Sequence, residues 1–133
     1  MATQINKEES YKSGFGDDFT ESWYAKSSIG DFRVLKTTLA AFDSDGNEQL
    51  GLGGVIEVID VNGVHHHGDE KKALFAKIKY ELEPYEEDAQ IDTDISYPSG
   101  IVEHLQLRVE TYSSPSDLDE MTELVLEIIK GVE

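Results

Sequence analysis

Apolar and polar residues are arranged along most of this chain in short β-like segments, some of them alternating, which predict a protein built mainly from β-strands. Residues 21–27 (ESWYAKS), 31–42 (DFRVLKTTLAAF) and 55–61 (VIEVIDV) are rich in β-branched and aromatic residues, which is typical of strands. Residues 73–83 (ALFAKIKYELE) alternate with a period of two, and residues 101–112 (IVEHLQLRVETY) do the same. In the first of these two segments, the predicted inward side chains are those of Leu74, Ala76, Ile78, Tyr80 and Leu82.

The chain ends in a segment whose apolar positions recur at helical spacing. Ser114 is a suitable N-cap, and Pro115 suits the first helical position because the N–H that it lacks would have no partner there. Apolar residues then follow every three or four positions, which predicts an amphipathic helix with one buried face. These residues are Leu118, Met121, Val125, Ile128 and Val132.

The order of these elements predicts the fold class. Strands follow one another without intervening helical segments and a single helix comes last, so neighbouring strands are expected to pair antiparallel. We therefore predict an α+β fold that is mostly β. It would contain an antiparallel sheet of about five to seven strands, as a small sandwich or open barrel, with one C-terminal amphipathic helix packed on it. Residues 1–18 are polar and predict a flexible N-terminal arm, and residues 19–133 predict a single globular domain.

A dipeptide after the third predicted strand organises the most unusual part of the sequence, NGVHHHGDE. Asn62-Gly63 is the strongest short signal for a two-residue type I′ hairpin. Such a turn would place Asp60, His65 and His67 on one face of the sheet. The middle histidine, His66, would point to the other face.

One carboxylate and two imidazoles on a common face have the ligand types that suit zinc or non-haem iron. Glu70 and His104 would be further ligands if their elements lie close by. The alternative is a solvated sheet face, on which the carboxylate is a cross-strand partner of the histidines worth a few tenths of a kcal/mol. We expect the solvated face, and we keep the metal site formed by Asp60, His65 and His67 as the alternative.

The charge balance is the strongest global feature of the sequence. Twenty-eight acidic residues face eleven basic ones, which gives a formal net charge of −17 at pH 7. Such a surface repels nucleic acids and anionic membranes but attracts a basic protein partner. The segment from residue 81 to residue 94 contains no basic residue and predicts an acidic partner-binding loop. Its acidic residues are Glu81, Glu83, Glu86, Glu87, Asp88, Asp92 and Asp94.

The sequence carries no recognised catalytic pattern. It has no cysteine, no G-x-S-x-G, no H-E-x-x-H and no P-loop, and no apolar leader at its N-terminus. We therefore predict a non-catalytic, cytoplasmic interaction protein without a cofactor. Examples are an inhibitor, an immunity protein, or a phage-encoded anti-host or DNA-mimic-like factor. One alternative is a structural subunit of a phage or other assembly, which would form a homo-oligomer. Another is a metal-binding protein or enzyme that uses the histidine hairpin.

Overall fold

The computed structural model describes residues 3–8, 10–13, 18–42, 48–85, 89–96, 103–111 and 115–132. These residues form seven strands, two helices and one 3₁₀ turn. The strands are β1 (Gln4–Lys7), β2 (Tyr11–Ser13), β3 (Asp18–Ser27), β4 (Gly30–Phe42), β5 (Glu48–Asp60), β6 (Ala89–Ser96) and β7 (His104–Thr111). The helices are α1 (Gly68–Leu82) and α2 (Pro115–Lys130), and the 3₁₀ turn is Glu83–Tyr85.

The described strands form one antiparallel sheet. Six of them follow the order β1-β3-β4-β5-β7-β6, and the short β2 pairs with β3 next to β1. The predicted α+β class, with an antiparallel sheet and a C-terminal helix packed on it, is confirmed. A layer of two helices takes the place that a second sheet would have in a sandwich. Strands β1 and β2 come from the segment predicted as an N-terminal arm, and both are hydrogen-bonded to β3.

The core lies between one face of the sheet and the two helices. Alternate side chains of β4, β5 and β7 are fully buried there, namely Phe32, Val34, Ile56, Val58, Leu107 and Val109. From α2, the core receives Leu118, Met121, Val125 and Ile129. The second half of α2 lies beside the first half of α1, and its first half lies beside the 3₁₀ turn, so the helices run antiparallel.

Helix α1 is the largest departure from the sequence-based prediction, because it occupies most of the predicted strand at residues 73–83. A period of two also brings an apolar residue to every fourth position, so Leu74, Ile78 and Leu82 satisfy both patterns. The strand prediction is therefore wrong. The side chains that α1 buries are Lys71, Leu74, Phe75, Ile78 and Leu82. Acidic residues in its first turn and Lys79 in its last turn suit the helix dipole.

The predicted type I′ hairpin at Asn62-Gly63 is also wrong. Strand β5 ends at Asp60, and the chain then leaves the sheet toward α1 instead of returning beside β5. Gly63 does adopt a positive φ of 91°, as the dipeptide suggests. The Asn62 side chain has a different role, because its Oδ1 accepts the backbone N–H of Asp31 at 2.6 Å. The dipeptide thus anchors the loop after β5 to the start of β4.

A network of charged side chains fastens α2 to the sheet. Lys36 Nζ lies 2.8 Å from a Glu21 carboxylate oxygen and also contacts the Asp119 carboxylate on α2. Lys7 Nζ lies 2.8 Å from the other Glu21 oxygen. Burial alone would raise the pKa of Glu21, but the hydrogen bonds from Lys36 and Lys7 outweigh it and hold that pKa below its ordinary value. Burial would lower the pKa of Lys36, and its bonds to Asp119 and Glu21 raise that pKa overall.

Substitution of Glu21 tests this network. We expect Glu21→Gln to lower the free energy of unfolding at neutral pH by about 1–2 kcal/mol, because it weakens hydrogen bonds between charged groups. The pKa of Glu21 is lowered in the folded protein, so its contribution is complete above the ordinary value of 4.5 and is lost as the pH falls through the folded-state value. Urea unfolding at a series of pH values should show the difference between the two proteins shrinking in acid.

The exposed carboxylate of Glu83 provides the control for this experiment. We expect Glu83→Gln to change the free energy of unfolding by less than about 0.5 kcal/mol at every pH. A loss for Glu21→Gln that stays constant into strong acid would show that the ionised carboxylate is not what stabilises the network.

Candidate functional site

The three residues predicted as a metal-binding set lie in the corner where β5 leads into α1, and they do not share a face. Asp60 is fully buried at the end of β5, whereas His65 and His67 are exposed in the turn that follows, as is His66. His67 precedes α1 in the left-handed conformation, with φ 55°, and its Nδ1 lies 2.9 Å from Glu70 Oε1. The prediction that His65 and His67 lie on one face of a strand, with His66 on the other, is therefore wrong, because residues 64–67 form a turn.

The Asp60 carboxylate is paired with an ammonium group that the sequence-based prediction missed. Lys71 Nζ lies 2.9 Å from Asp60 Oδ1, and both side chains are completely buried. The same Nζ donates to the Gly63 carbonyl oxygen at 2.7 Å, and the Gly63 N–H donates to Asp60 Oδ1 at 3.2 Å. A buried ion pair requires such additional hydrogen bonds to offset the loss of hydration.

Two neighbouring elements close around this pair. His104 Nδ1, at the start of β7, lies 2.7 Å from the Asp60 carbonyl oxygen. The turn between β3 and β4 lies directly over the lysine, since a side chain at Gly30 would meet Lys71 Cε at 2.9 Å. The corner is thus held by contacts within the protein. Within the described ranges, no group of three or more His, Cys, Asp or Glu side chains could hold a metal ion.

The predicted acidic loop is divided among several elements, so the prediction of a single loop is wrong. Glu81 lies in the last turn of α1 and Glu83 in the 3₁₀ turn, and both are exposed. Asp92 is exposed on β6, opposite Arg108 of β7, on the face of the sheet away from the helices. Asp94 also lies in β6, but its side chain is outside the described part of the structure. Glu86, Glu87 and Asp88 lie entirely outside the described residues.

A denser set of exposed carboxylates lies on the outer side of α2. Glu120, Glu123 and Glu127 recur at spacings of three and four, which places them on one side of the helix. They span about 10 Å along the helix at its rise of 1.5 Å per residue. The opposite side of α2 is buried in the core, so this set points to solvent. In the sequence, these three glutamates already fall at helical spacing between the apolar residues of α2. That pattern could have identified them as one exposed side of the helix.

Tyr85 connects these glutamates to the end of α1. Its hydroxyl donates to Glu120 Oε2 at 3.4 Å, so the 3₁₀ turn that carries Glu83 lies beside the first half of α2. Burial, followed by the negative charges of Glu120 and Asp117, raises the pKa of the Tyr85 hydroxyl. Carboxylates from both helices thus form one negatively charged region, here called the acidic surface. It consists of Glu81, Glu83, Glu120, Glu123 and Glu127.

The acidic surface groups five exposed carboxylates that form no ion pair with any other described residue. In the part of the chain that the structure describes, the ion pairs involve Glu8, Glu21, Asp60, Glu70, Glu110 and Asp119. None of those pairs includes a member of the acidic surface. The charges of the acidic surface are therefore not engaged in the ion pairs that connect the described elements.

Comparison with known protein families, with curated proteins and with solved structures finds no match for this chain. Of the described helices, neither combines the length and the apolar character needed to cross a membrane. The arrangement of the acidic surface is therefore the observation from which a function can be argued.

Proposed function

We propose that this protein is a non-catalytic, cytoplasmic interaction module that binds a basic surface of a partner protein. The observation that supports the proposal is the acidic surface, whose five exposed carboxylates form no ion pair with another described residue, on a chain of net charge −17. Inhibitors, immunity proteins and phage-encoded anti-host or DNA-mimic-like factors are the classes of protein that fit this description.

The expected mode of binding follows from the charge. A field of this sign attracts a basic partner over distances of about a Debye length, 8 Å at physiological salt, and so raises the association rate. Exposed charges at an interface contribute more to rate and specificity than to affinity, and salt weakens them. The rigid helices hold the carboxylates in place before the partner arrives, which reduces the entropy lost on binding.

Affinity capture from a lysate of the native host, followed by mass spectrometry, tests the proposal. The immobilised protein should retain a basic protein at low salt and release it as the salt concentration rises. The triple variant Glu120→Gln, Glu123→Gln and Glu127→Gln should bind the same partner about 10- to 100-fold more weakly, at roughly 0.5–1 kcal/mol for each charge.

A second triple variant with the same net charge separates a specific surface from a general effect of acidity. Asp69→Asn, Glu70→Gln and Glu103→Gln also remove three charges that are at least partly exposed, but at the start of α1 and just before β7. We expect its affinity to stay within about twofold of the unmodified protein, a difference below 0.5 kcal/mol. Equal losses for the two triple variants, or no basic partner at either salt concentration, would refute the proposed binding surface.

A further inference from the structure

The face of the sheet away from the helices has a different character from the acidic surface. Because side chains alternate along a strand, the neighbours of the buried residues point to this side. Tyr24, Arg33, Leu35, Glu57, Ile59 and Arg108 lie on adjacent strands there, and the group is here called the open face. Among the described residues, both helices pack on the opposite side of the sheet.

Both arginines of the chain belong to the open face, and each is held by an acidic partner. Arg33 Nε donates to Glu8 Oε1 at 3.0 Å, and its guanidinium lies 5.3 Å from the centre of the Tyr24 ring. Arg108 Nη2 lies 3.0 Å from Glu110 Oε1. The two arginine side chains are nevertheless 43% and 49% exposed, so their outer surfaces are available for contacts.

Apolar side chains lie between these charges. Leu35 is next to Arg33 on the same side of β4, and Ile59 of β5 is directly opposite Arg33. Both are only half-buried in the single chain. Arginine and tyrosine are enriched at protein interfaces, and their presence beside apolar side chains distinguishes this face from the lysine- and glutamate-rich helix side.

We propose that the open face binds the open face of a second copy of the same chain, so that two sheets stack into a sandwich. Two copies of a chain with net charge −17 repel each other, so an interface between them requires local pairing of opposite charges, which the arginines and neighbouring glutamates of the open face can supply. A two-fold axis places the same patch on both sides, which allows arginines of one copy to face carboxylates of the other. The acidic surfaces then point outward, separated by both sheets and both helix layers.

The size of the open face is sufficient for such a dimer. Five of the strands, β3, β4, β5, β7 and β6, are each at least eight residues long. At about 4.8 Å between strands and about seven residues of each, they give a patch of roughly 24 by 24 Å, or about 600 Å² per copy. Two such patches bury roughly 1,200 Å², at the lower limit for specific, stable interfaces. The inference is independent of the proposed function, although a dimer would present two acidic surfaces to a partner.

Light scattering coupled to size-exclusion chromatography of the full chain tests the proposal directly. We expect a mass of twice the 14.8 kDa chain, with dissociation to a single chain only on dilution. Leu35→Glu should weaken the dimer by at least about 30-fold, the factor that corresponds to an interface hot spot of 2 kcal/mol. Tyr80→Glu introduces the same charge at an exposed apolar residue on the helix side and should leave the dimer unchanged.

A labelling experiment remains decisive if Leu35→Glu fails to fold. Since the chain has no cysteine, the thiol introduced by Leu35→Cys can be labelled selectively with a maleimide. Its rate should fall as protein concentration rises, while the rate for Glu123→Cys stays constant. A mass of one chain at all concentrations, a dimer that Tyr80→Glu disrupts and Leu35→Glu does not, or equal labelling rates for both thiols would each overturn the proposal.

Discussion

Replacement of Lys71 by methionine should lower the free energy of unfolding by about 3–5 kcal/mol, because it leaves the buried Asp60 carboxylate without a counter-charge. The Gly63 carbonyl oxygen would lose its donor at the same time. Asp60 Oδ2 has no hydrogen-bond partner among the described residues, so the carboxylate would keep only the neutral Gly63 N–H, which donates to Oδ1. Methionine keeps the unbranched stem, so the loss would reflect the missing charge and not a missing volume.

Urea unfolding monitored by circular dichroism measures this loss, and the next residue along the chain is the control. Lys72 is exposed on α1, so Lys72→Met should change the free energy of unfolding by less than about 0.5 kcal/mol. The double variant Asp60→Asn and Lys71→Met should recover at least half of the loss, since no charge is then left unpaired. Equal losses for Lys71→Met and Lys72→Met would show that the ion pair is not buried as described.

The buried pair also explains why the candidate site could be predicted only in part. The sequence indicates that Asp60, Gly63 and the histidines form a distinctive segment, but it offers no reason to bring Lys71 toward Asp60. A lysine on the buried side of a helix is rare, because it requires a carboxylate that comes from elsewhere in the fold. Once α1 is known to be a helix, Lys71 falls on its buried side at the spacing set by Leu74 and Ile78.

The fold was predictable where the periodicity has one interpretation. The strand at residues 55–61 consists almost entirely of β-branched residues, and α2 has a 3,4 spacing that no strand would share. The pattern at residues 73–83 permits both structures, and the Asn62-Gly63 dipeptide, a hairpin signal, favours a strand there. Alanine, leucine and lysine favour helices, and this composition was the available evidence for α1. The position of the acidic surface depends on how α1 and α2 lie side by side, which no local pattern reveals.

The helix and strand interpretations of residues 73–83 predict opposite effects for two aromatic residues. In the alternating strand, Tyr80 would face the core and Phe75 would face solvent. In the structure, Phe75 is 1% exposed with its ring centre 6.0 Å from that of Phe32, whereas Tyr80 is 67% exposed. The two side chains are nearly the same size, so their truncation compares the two environments and little else.

We therefore expect Phe75→Ala to lower the free energy of unfolding by about 3–5 kcal/mol, since it removes a buried ring and leaves a cavity beneath α1. Tyr80→Ala should change it by less than about 0.5 kcal/mol, because the ring is already in contact with water. Urea unfolding of both variants under the same conditions, with the slope against urea compared as well, distinguishes a loss of stability from a change in the unfolded state. A larger loss for Tyr80→Ala than for Phe75→Ala would restore the strand and, with it, the hairpin that places Asp60, His65 and His67 on one face.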